Sequence, residues 1–515
     1  MTRSWNQYVV MSLSGCVLIA GCVTAFLIAQ GKSAYLPSVL HQAIAQIDST
    51  RLISPPPNNV RVTPLATTPE VLPAPDDLHA AGASGDAMAL IAETPPDPSS
   101  LQANYTGEKF EPLYGCYLGA YLDSAYNLEG MKGLNNAPLS REEAFGAEIG
   151  KPIASVFNYV GYGQPFPMDW AKRVAALGIA PHIAMEPNDG LDVVKDDAYL
   201  QQFARDAAAC GAPIFLRFAS EMNGTWVIYN KDPKQYVEKF RLVHDVMARY
   251  APNVAMLWCV FTDPIRNIPN YYPGDEYVDW VGVNIYNVFY HDNDPKVPGW
   301  QEHPVELLDY VYTHYAARKP IAIAEYGATH YDTVDNAPRP DFASAKLAQL
   351  LTALPILYPR VKLLDFFECN NVKYGPPGRR LNDYALTDDT TVLQTARLGI
   401  ASDYYLSKVV TDRQTTLPTM IPTRVTEGTV MHGSVFLSAW LKSNVYQPTV
   451  IFSVDGQDIN SSKIPGDYRA TLDTTKYPPG PHTLRIAAYD PNSHPKGKQI
   501  ARLDVKVNIL ALPSF

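Results

Sequence analysis

Eight short apolar runs, separated by longer amphipathic stretches, dominate the middle of this 515-residue chain. Such runs, alternating with helical patterns, indicate parallel strands that are buried on both faces. Eight repeats fit a closed (β/α)8 barrel better than an open doubly wound sheet, and no Gly-x-Gly-x-x-Gly turn follows the first run. We therefore predict an α/β fold with a (β/α)8 TIM barrel over residues 105–408. The runs are 113–122, 153–159, 180–185, 213–218, 254–260, 278–286, 321–324 and 361–367.

Two helix starts between these runs are well marked. Asp232 and Pro233 supply a cap and a first-turn proline, and the apolar positions that follow recur on one helical face. Ser140, with Glu143 three residues later, forms a capping-box pattern. Both features support the alternation of strand and helix.

The carboxyl-terminal region, 409–515, is rich in Thr, Val and Pro, with short alternating strand patterns and turns such as Asp455-Gly456. We predict an all-β immunoglobulin-like sandwich that resembles modules appended to bacterial wall and polysaccharide enzymes. A spacer or docking role is the simplest interpretation. Glycan binding would require exposed aromatic side chains. The strand pattern does not clearly place the side chains of Trp440, Tyr446 and Tyr489 on the outer faces of the sheets.

The amino-terminal residues 1–32 contain an uncharged, mostly apolar stretch at 8–30, which is long enough to span a membrane. We predict an uncleaved membrane anchor. A lipoprotein signal ending before Cys22 and a cleaved signal peptide are the alternatives. All three place the rest of the chain outside the cytoplasm. Residues 33–104 are expected to form a proline-rich linker.

Charge and cysteine content exclude several functional classes. The 42 basic and 52 acidic side chains give a net charge of −10, which argues against a nucleic-acid partner. The cysteines form no disulfide framework, and no Cys-x-x-Cys motif or His-rich cluster suggests a metal. We expect neither a metal nor a cofactor, and the sequence does not indicate an oligomeric state.

Two glutamates follow the fourth and seventh runs, where the catalytic face of a barrel lies. Strand alternation predicts that Arg217, Ala219 and Glu221 share one face, and that Ile321, Ile323 and Glu325 share another. Arg217 and Tyr286 are the nearest expected hydrogen-bond donors. Paired carboxylates suit glycoside hydrolysis, in which one protonates the leaving oxygen and the other attacks the anomeric carbon. Glu186, after the third run, is a third candidate with a substrate-contacting or supporting role.

Three ordered motifs resemble those of glycoside hydrolase family 26, a family of β-mannanases with some lichenases and β-1,3-xylanases. The motifs are RFASEMNGTW at 217–226, YPGDEYVDWVG at 272–282 and KPIAIAEYG at 319–327. The resemblance implies a retaining enzyme with Glu221 as acid/base and Glu325 as nucleophile. It also implies that Tyr286 hydrogen-bonds the nucleophile and that Trp226 walls the sugar site.

The remaining substrate-binding candidates are Arg217, Ser220, Asn223 and Glu186. Typical mannanases have histidine where this chain has Ser220, so contacts made by that histidine must be lost or supplied otherwise. Aromatic residues in the predicted loops could stack on sugar faces, with loop packing as the alternative for each. They are Trp226, Tyr229, Tyr271, Tyr272, Tyr290 and Trp300.

The leading hypothesis is a membrane-tethered, extracytoplasmic endo-β-glycosidase that acts by double displacement. Its polysaccharide partner would be β-mannan, as for a mannan endo-1,4-β-mannosidase, or a related β-1,3/1,4-glucan, xylan or exopolysaccharide. One alternative is a non-hydrolytic envelope protein that binds exopolysaccharide or organises its export on the same barrel. Another is a trimming enzyme within a polysaccharide secretion system, which shares the chemistry and differs in substrate.

Overall fold

The computed structural model describes residues 88–95, 103–133, 135–375, 377–411, 420–443, 445, 448–459, 468–491, 493 and 497–510. Its strands, in chain order, are β1 Met88–Thr94, β2 Cys116–Tyr121, β3 Ser155–Gly161, β4 Ala180–Glu186, β5 Ile214–Phe218, β6 Val254–Phe261, β7 Trp280–Asn287, β8 Ile321–Ala328, β9 Tyr331–Asp332, β10 Ala337–Pro338, β11 Val361–Phe367, β12 Asn382–Asp383, β13 Tyr405–Leu406, β14 Ile421–Arg424, β15 Val430–Met431, β16 Ser434–Leu441, β17 Thr449–Val454, β18 Gln457–Asp458, β19 Arg469–Asp473, β20 Gly480–Asp490 and β21 Lys498–Ile509.

The α-helices are α1 Arg141–Ile149, α2 Met168–Ala176, α3 Ala198–Cys210, α4 Pro233–Tyr250, α5 Pro304–Tyr315, α6 Pro340–Leu357, α7 Asn371–Tyr374 and α8 Thr390–Gly399. Both sequence-predicted helix starts are confirmed. Ser140 forms a reciprocal capping box with Glu143, and the Asp232 carboxylate accepts from two main-chain N–H groups at the start of α4. These caps satisfy N–H groups that the helix itself leaves without partners.

A closed eight-stranded parallel barrel forms the larger unit. The strands pair in the order β2-β3-β4-β5-β6-β7-β8-β11, and β11 pairs back onto β2 to close the cylinder. Each of the eight predicted apolar runs contributes one of these strands, so the TIM barrel prediction is confirmed. The carboxyl ends of all eight strands therefore meet at one mouth, where loops and side chains can form a site.

The second unit consists of two packed sheets. One has the order β14-β1-β16-β19 and the other β15-β21-β20-β17-β18. Alternate residues of the central strands fill a shared core that includes Leu437, Phe452 and Ile486. The predicted strands of the carboxyl-terminal region are present in this two-sheet sandwich, while its immunoglobulin-like identity stays a prediction.

One strand of the sandwich lies inside the predicted linker range 33–104, which corrects that interpretation. Strand β1 inserts between β14 and β16 and pairs antiparallel with both. Its side chains alternate between two cores: Leu90 packs into the sandwich, and Ile91 packs into the barrel cluster. A short apolar strand buried on both faces is more stable than the exposed spacer that the surrounding prolines suggested.

The same region joins the sandwich to the barrel. Helix α6 packs against both β14 and β16. His303, which caps α5, lies within 3.3 Å of the Leu441 carbonyl through Nε2, and its ring stands edge-on to Trp440. Because Trp440 is buried in this contact, it is not available as an exposed glycan-stacking residue.

The predicted anchor at 8–30 and the alternatives at Cys22 lie outside the described residues. Within the part of the chain that the structure describes, no helix is long and apolar enough to cross a membrane.

Candidate active site

The chain turns sharply at the end of β5. Ala219 and Glu221 both have left-handed backbone conformations, with φ of 50° and 59°. This conformation is costly for a residue other than glycine and is often found at functional sites. It also breaks strand alternation. Ala219 packs with the apolar cluster that the strands share with the surrounding helices, called here the outer cluster. Arg217 and Glu221 instead reach the barrel mouth. The predicted common face for Arg217, Ala219 and Glu221 is therefore wrong at Ala219.

A β-bulge delivers the second carboxylate. The register of β8 on β7 shifts between Ile323, which lies opposite Val283, and Glu325, which lies opposite Asn284. Ile323 packs in the outer cluster. Ala324 packs in a separate apolar cluster, which also contains Phe215 and Leu363. The prediction that Ile321, Ile323 and Glu325 share a face is therefore wrong. The bulge inserts one extra residue, so that both Ala324 and Glu325 face the barrel interior.

Both oxygens of Glu325 accept hydrogen bonds, from buried Arg217 and from half-buried Tyr159 and Tyr286. Arg217 Nη2 donates to Oε1 at 2.7 Å, and the Tyr159 hydroxyl donates to the same oxygen at 2.5 Å. The Tyr286 hydroxyl donates to Oε2 at 2.5 Å, as the sequence predicted. One cation and two phenols thus orient this carboxylate, which is the arrangement that an attacking carboxylate requires.

The donors keep their protons in this environment. Burial and the neighbouring Glu325 carboxylate raise the pKa of both Tyr159 and Tyr286 well above its ordinary value. For Arg217, burial opposes the charged form, but Glu325 and other nearby acidic groups raise the pKa well above its ordinary value. All three groups therefore remain donors at any working pH.

Neutral donors hold Glu221. The Asn284 amide donates to Oε1 at 2.7 Å, and the Trp226 indole N–H donates to Oε2 at 2.7 Å. Asn284 in turn accepts from Arg217 Nη1 at 3.1 Å. A continuous hydrogen-bond chain therefore links Glu325 to Glu221 through Arg217 and Asn284, which places the two carboxylates at the same mouth in different surroundings.

Two glycines make room for the aromatic partners of these carboxylates. A Cβ on Gly224 would lie 2.3–2.6 Å from atoms of the Trp226 indole. A Cβ on Gly327 would lie 2.9 Å from Tyr286 Cδ1. Any other residue at either position would push the ring away from the carboxylate to which it donates.

Three of the predicted substrate-binding residues are buried. Arg217 is fully buried beneath Glu325, so it orients the nucleophile candidate and does not contact sugar. The Asn223 amide is also fully buried, and it bonds the main-chain O and N of Phe261 at 2.9 Å each, fixing the end of β6. Ser220 is buried, and its hydroxyl has no hydrogen-bond partner among the described residues.

Glu186 ends β4 and is also buried. Its Oε2 lies 2.5 Å from the Tyr229 hydroxyl, which also lies 2.7 Å from the Ser220 carbonyl. The structure therefore brings Glu186 into contact with the turn that carries Glu221. Its predicted role, substrate-contacting or supporting, stays a prediction.

The aromatic candidates divide by exposure. Tyr229 and Tyr271 are buried, so their predicted stacking on sugar is wrong: Tyr271 instead donates to the Asn230 carbonyl. Tyr272 packs edge-on against Trp258, whereas Trp226 donates to Glu221. Tyr290 and Trp300 are partly exposed, and Tyr290 donates to Asp335 at 2.8 Å.

Sequence reasoning missed Tyr159 as a donor to Glu325. The available signal was its position at the end of the second apolar run, two residues beyond inward-facing Phe157. In the described part of the chain, no group of three or more His, Cys, Asp and Glu side chains could hold a metal ion.

The family model described as glycosyl hydrolase family 26 matches residues 188–302, a stretch that contains Glu221 but not Glu325. Residues 188–302 are thus similar to part of a glycosyl hydrolase family 26 domain. The family 26 match spans β5, β6 and β7, and so includes Arg217, Trp226, Asn284 and Tyr286 as well.

Two curated relatives match over part of the chain. Endoglucanase H of Acetivibrio thermocellus is 32% identical over 197 residues, which cover 35% of this chain and 22% of that protein. Beta-1,3-xylanase TXYA of a Vibrio species is 29% identical over 146 residues, covering 27% of this chain and 28% of that protein. The matched part thus spans about a quarter of the length of these relatives.

Among solved structures, the catalytic domain of a family 26 endo-β-1,4-mannanase from Bacillus sp. JAMB-750 aligns with a TM-score of 0.43 and 15% identity. The alignment covers 59% of this chain and 95% of that one. A similarity this low adds nothing to the barrel topology, which the strand pairing establishes directly.

Proposed function

We propose that this protein is a retaining endo-β-glycosidase in which Glu325 is the nucleophile and Glu221 the acid/base. The observation that carries the proposal is the asymmetric pair of carboxylates. Glu325 receives three donors, one of them cationic, whereas Asn284 and Trp226 donate to Glu221 as neutral groups. Different surroundings for two neighbouring carboxyls are what divides acid from nucleophile in such enzymes.

In the first step, Glu325 attacks the anomeric carbon while protonated Glu221 gives its proton to the leaving glycosidic oxygen. The carbon–oxygen bond to the leaving sugar breaks, and an ester bond joins the sugar to Glu325. In the second step, ionised Glu221 takes a proton from water, the water oxygen attacks the same carbon, and Glu325 leaves. Two inversions restore the original anomeric configuration.

The supporting residues act at defined atoms. Arg217 and Tyr159 hold Oε1 of Glu325, and Tyr286 holds Oε2, so the carboxylate cannot rotate away from the sugar. Trp226 fixes Oε2 of Glu221 and presents a partly exposed ring at the mouth. Orientation of this kind accounts for a large part of the rate acceleration in displacement reactions.

For the substrate we propose a β-linked polysaccharide, with β-mannan first and mixed-linkage glucan, xylan or exopolysaccharide as related candidates. The motif resemblance to β-mannanases supports β-mannan, as for a mannan endo-1,4-β-mannosidase. The names of the curated relatives, an endoglucanase and a β-1,3-xylanase, support the wider class of β-glycans. Ser220, which lies next to Glu221, is the residue whose change from histidine bears most directly on this choice.

A reducing-sugar screen across these polysaccharides tests the proposal. Wild-type protein is expected to release new reducing ends from at least one of them, with Glu221→Ala and Glu325→Gln as blanks. Glycan binding by the wild type without any release would refute hydrolysis and favour the non-hydrolytic envelope protein. Release that persists in Glu325→Gln would refute the assigned nucleophile.

We further propose an extracytoplasmic location, with residues 8–30 as the membrane attachment, and an immunoglobulin-like spacer or docking role for the sandwich. The apolar length of 8–30 supports the first and the two-sheet arrangement supports the second. Protease accessibility in intact cells and fractionation of a chain lacking residues 1–32 test the location. Unchanged membrane association of the truncated chain would contradict it.

A further inference from the structure

Two tyrosines hold the strained end of β5 from behind the cleft. The Tyr236 hydroxyl lies 3.2 Å from the Ala219 carbonyl, and the Tyr229 hydroxyl lies 2.7 Å from the Ser220 carbonyl. The left-handed conformations of Ala219 and Glu221 turn the local main chain away from regular strand pairing. These hydroxyls therefore satisfy carbonyls directly next to the acid/base candidate.

Tyr229 has two short oxygen contacts but only one proton to donate. Its hydroxyl oxygen lies 2.7 Å from the Ser220 carbonyl and 2.5 Å from Glu186 Oε2. A carbonyl can only accept a hydrogen bond, and so can an ionised carboxylate. If Glu186 were ionised, the Tyr229 hydroxyl could donate its proton to Glu186 or to the Ser220 carbonyl, but not to both. The other oxygen would then lie against the hydroxyl oxygen without a hydrogen between them. A protonated Glu186 removes the conflict by donating to Tyr229, which then donates to Ser220.

Glu186 and its partner Tyr229 lie in a buried environment. Arg217, Glu221 and Tyr236 are among the charged or titratable groups that face them. Arg217 directs Nη2 to Glu325. Burial raises the pKa of Tyr229 well above its ordinary value, so the phenol keeps its proton. A negative charge on Glu186 would also oppose ionisation of the acid/base after proton transfer.

We propose that Glu186 is a protonated positioning residue: its carboxyl donates to Tyr229, whose hydroxyl donates to the Ser220 carbonyl and so fixes the turn that aims Glu221. The assignment of the proton stands on the hydrogen-bond geometry, and the catalytic consequence rests on the proposed function. A neutral carboxyl orients the turn without placing a second negative charge beside the acid/base.

Infrared difference spectroscopy tests the proton without any substrate. Wild type minus Glu186→Gln at neutral pH is expected to show the carbonyl stretch of a protonated carboxylic acid. Loss of carboxylate stretches instead would overturn the proposal. If the wild type hydrolyses no glycan, the proposed function fails, but this measurement still decides where the proton lies.

Kinetics test the positioning role. Tyr229→Phe and Glu186→Ala are each expected to lower kcat by about 100-fold with little change in KM, as a misplaced catalytic group does. Glu186→Gln keeps a donor and is expected to restore most of the kcat lost in Glu186→Ala, with both limbs of the pH profile unmoved. A glutamine variant as slow as the alanine variant, or one whose pH limbs shift by about one unit, would contradict the neutral carboxyl.

Tyr405→Phe is the matched control. The Tyr405 hydroxyl is also buried and donates to a main-chain carbonyl, that of Leu351, at 2.6 Å, but Tyr405 lies beside the amino-terminal end of β2. It is expected to lose similar thermal stability without loss of kcat. An equal fall in kcat in Tyr405→Phe and Tyr229→Phe would show a general effect of destabilisation and would overturn the positioning role.

Discussion

Replacement of Gly327 by alanine tests whether the Tyr286 hydroxyl acts through its hydrogen bond to Glu325. The new Cβ would lie 2.9 Å from Tyr286 Cδ1, 3.0 Å from Tyr286 Cε1 and 2.9 Å from Tyr384 Cδ1. Since carbon atoms prefer a separation of about 3.5–4.0 Å, the Tyr286 ring must retreat by roughly 0.6 Å or more. The backbone at this position is extended, so the added methyl group acts through contact rather than through φ.

The retreat draws the hydroxyl away from Oε2 of Glu325, with which it now makes a 2.5 Å bond. A hydrogen bond to a charged group contributes about 1.5–3 kcal/mol, so its loss predicts a fall in kcat of about 10- to 150-fold. Overpacking also costs about 1–3 kcal/mol of folding stability, and the assay temperature must lie well below the transition of the variant.

A double-mutant cycle with Tyr286→Phe provides the assay. If Gly327→Ala acts through the hydroxyl, it is expected to slow the wild type strongly but to change kcat little in the Tyr286→Phe background. Circular dichroism confirms that each variant is folded. Fully additive losses in the double variant, or an unchanged kcat in Gly327→Ala alone, would refute this reasoning.

Three further predictions follow from the same structure. Gly224→Ala is expected to displace Trp226 from Glu221 and to lower kcat by about 10-fold or more. Tryptophan fluorescence is expected to change with it. A normal kcat would exclude a role for the indole N–H. Leu90 lies in the predicted linker but packs in the sandwich core. Leu90→Ala is therefore expected to lower the free energy of unfolding by about 2–5 kcal/mol in denaturant titrations. A change near zero would contradict the assignment of β1 to the sandwich. Burial, and after it the charge of Lys346, lowers the pKa of His303 to about 3. The neutral imidazole therefore contributes its full stability at pH values above the ordinary pKa of 6.5. This contribution is lost as the pH falls from 6.5 toward 3. His303→Gln is expected to flatten this acid-side loss, which is on the order of 4–5 kcal/mol, and an unchanged pH dependence would contradict the buried neutral imidazole.

The barrel could be predicted because its strands are apolar on both faces and its helices carry clear caps. The same regularity located the strand ends, and with them Glu221, Glu325 and the Tyr286 contact. Strand alternation then failed at Ala219 and at Ala324, where a left-handed turn and a β-bulge interrupt the period of two. Neither feature leaves a periodic signal in the sequence, because each inserts a single irregular residue.

Long-range partners account for the other differences. Strand β1 was hidden because it is a short run among prolines and its neighbours β14 and β16 lie more than 300 residues away in sequence. Asn223 was expected to bind substrate because of its place in the motif, but its amide is occupied by the main chain of Phe261. Residue type and spacing cannot separate a ligand contact from a scaffold contact when both lie at a strand end.

The stereochemistry of the first-formed product tests double displacement on Glu325 directly. Proton NMR during hydrolysis of the polysaccharide found by the reducing-sugar screen resolves the two anomers before mutarotation mixes them. Double displacement on Glu325 with Glu221 as acid/base predicts that the β-anomer forms first from a β-linked substrate. Initial formation of the α-anomer would contradict the account, because it would require a single displacement by water and leave Glu325 without a nucleophilic role.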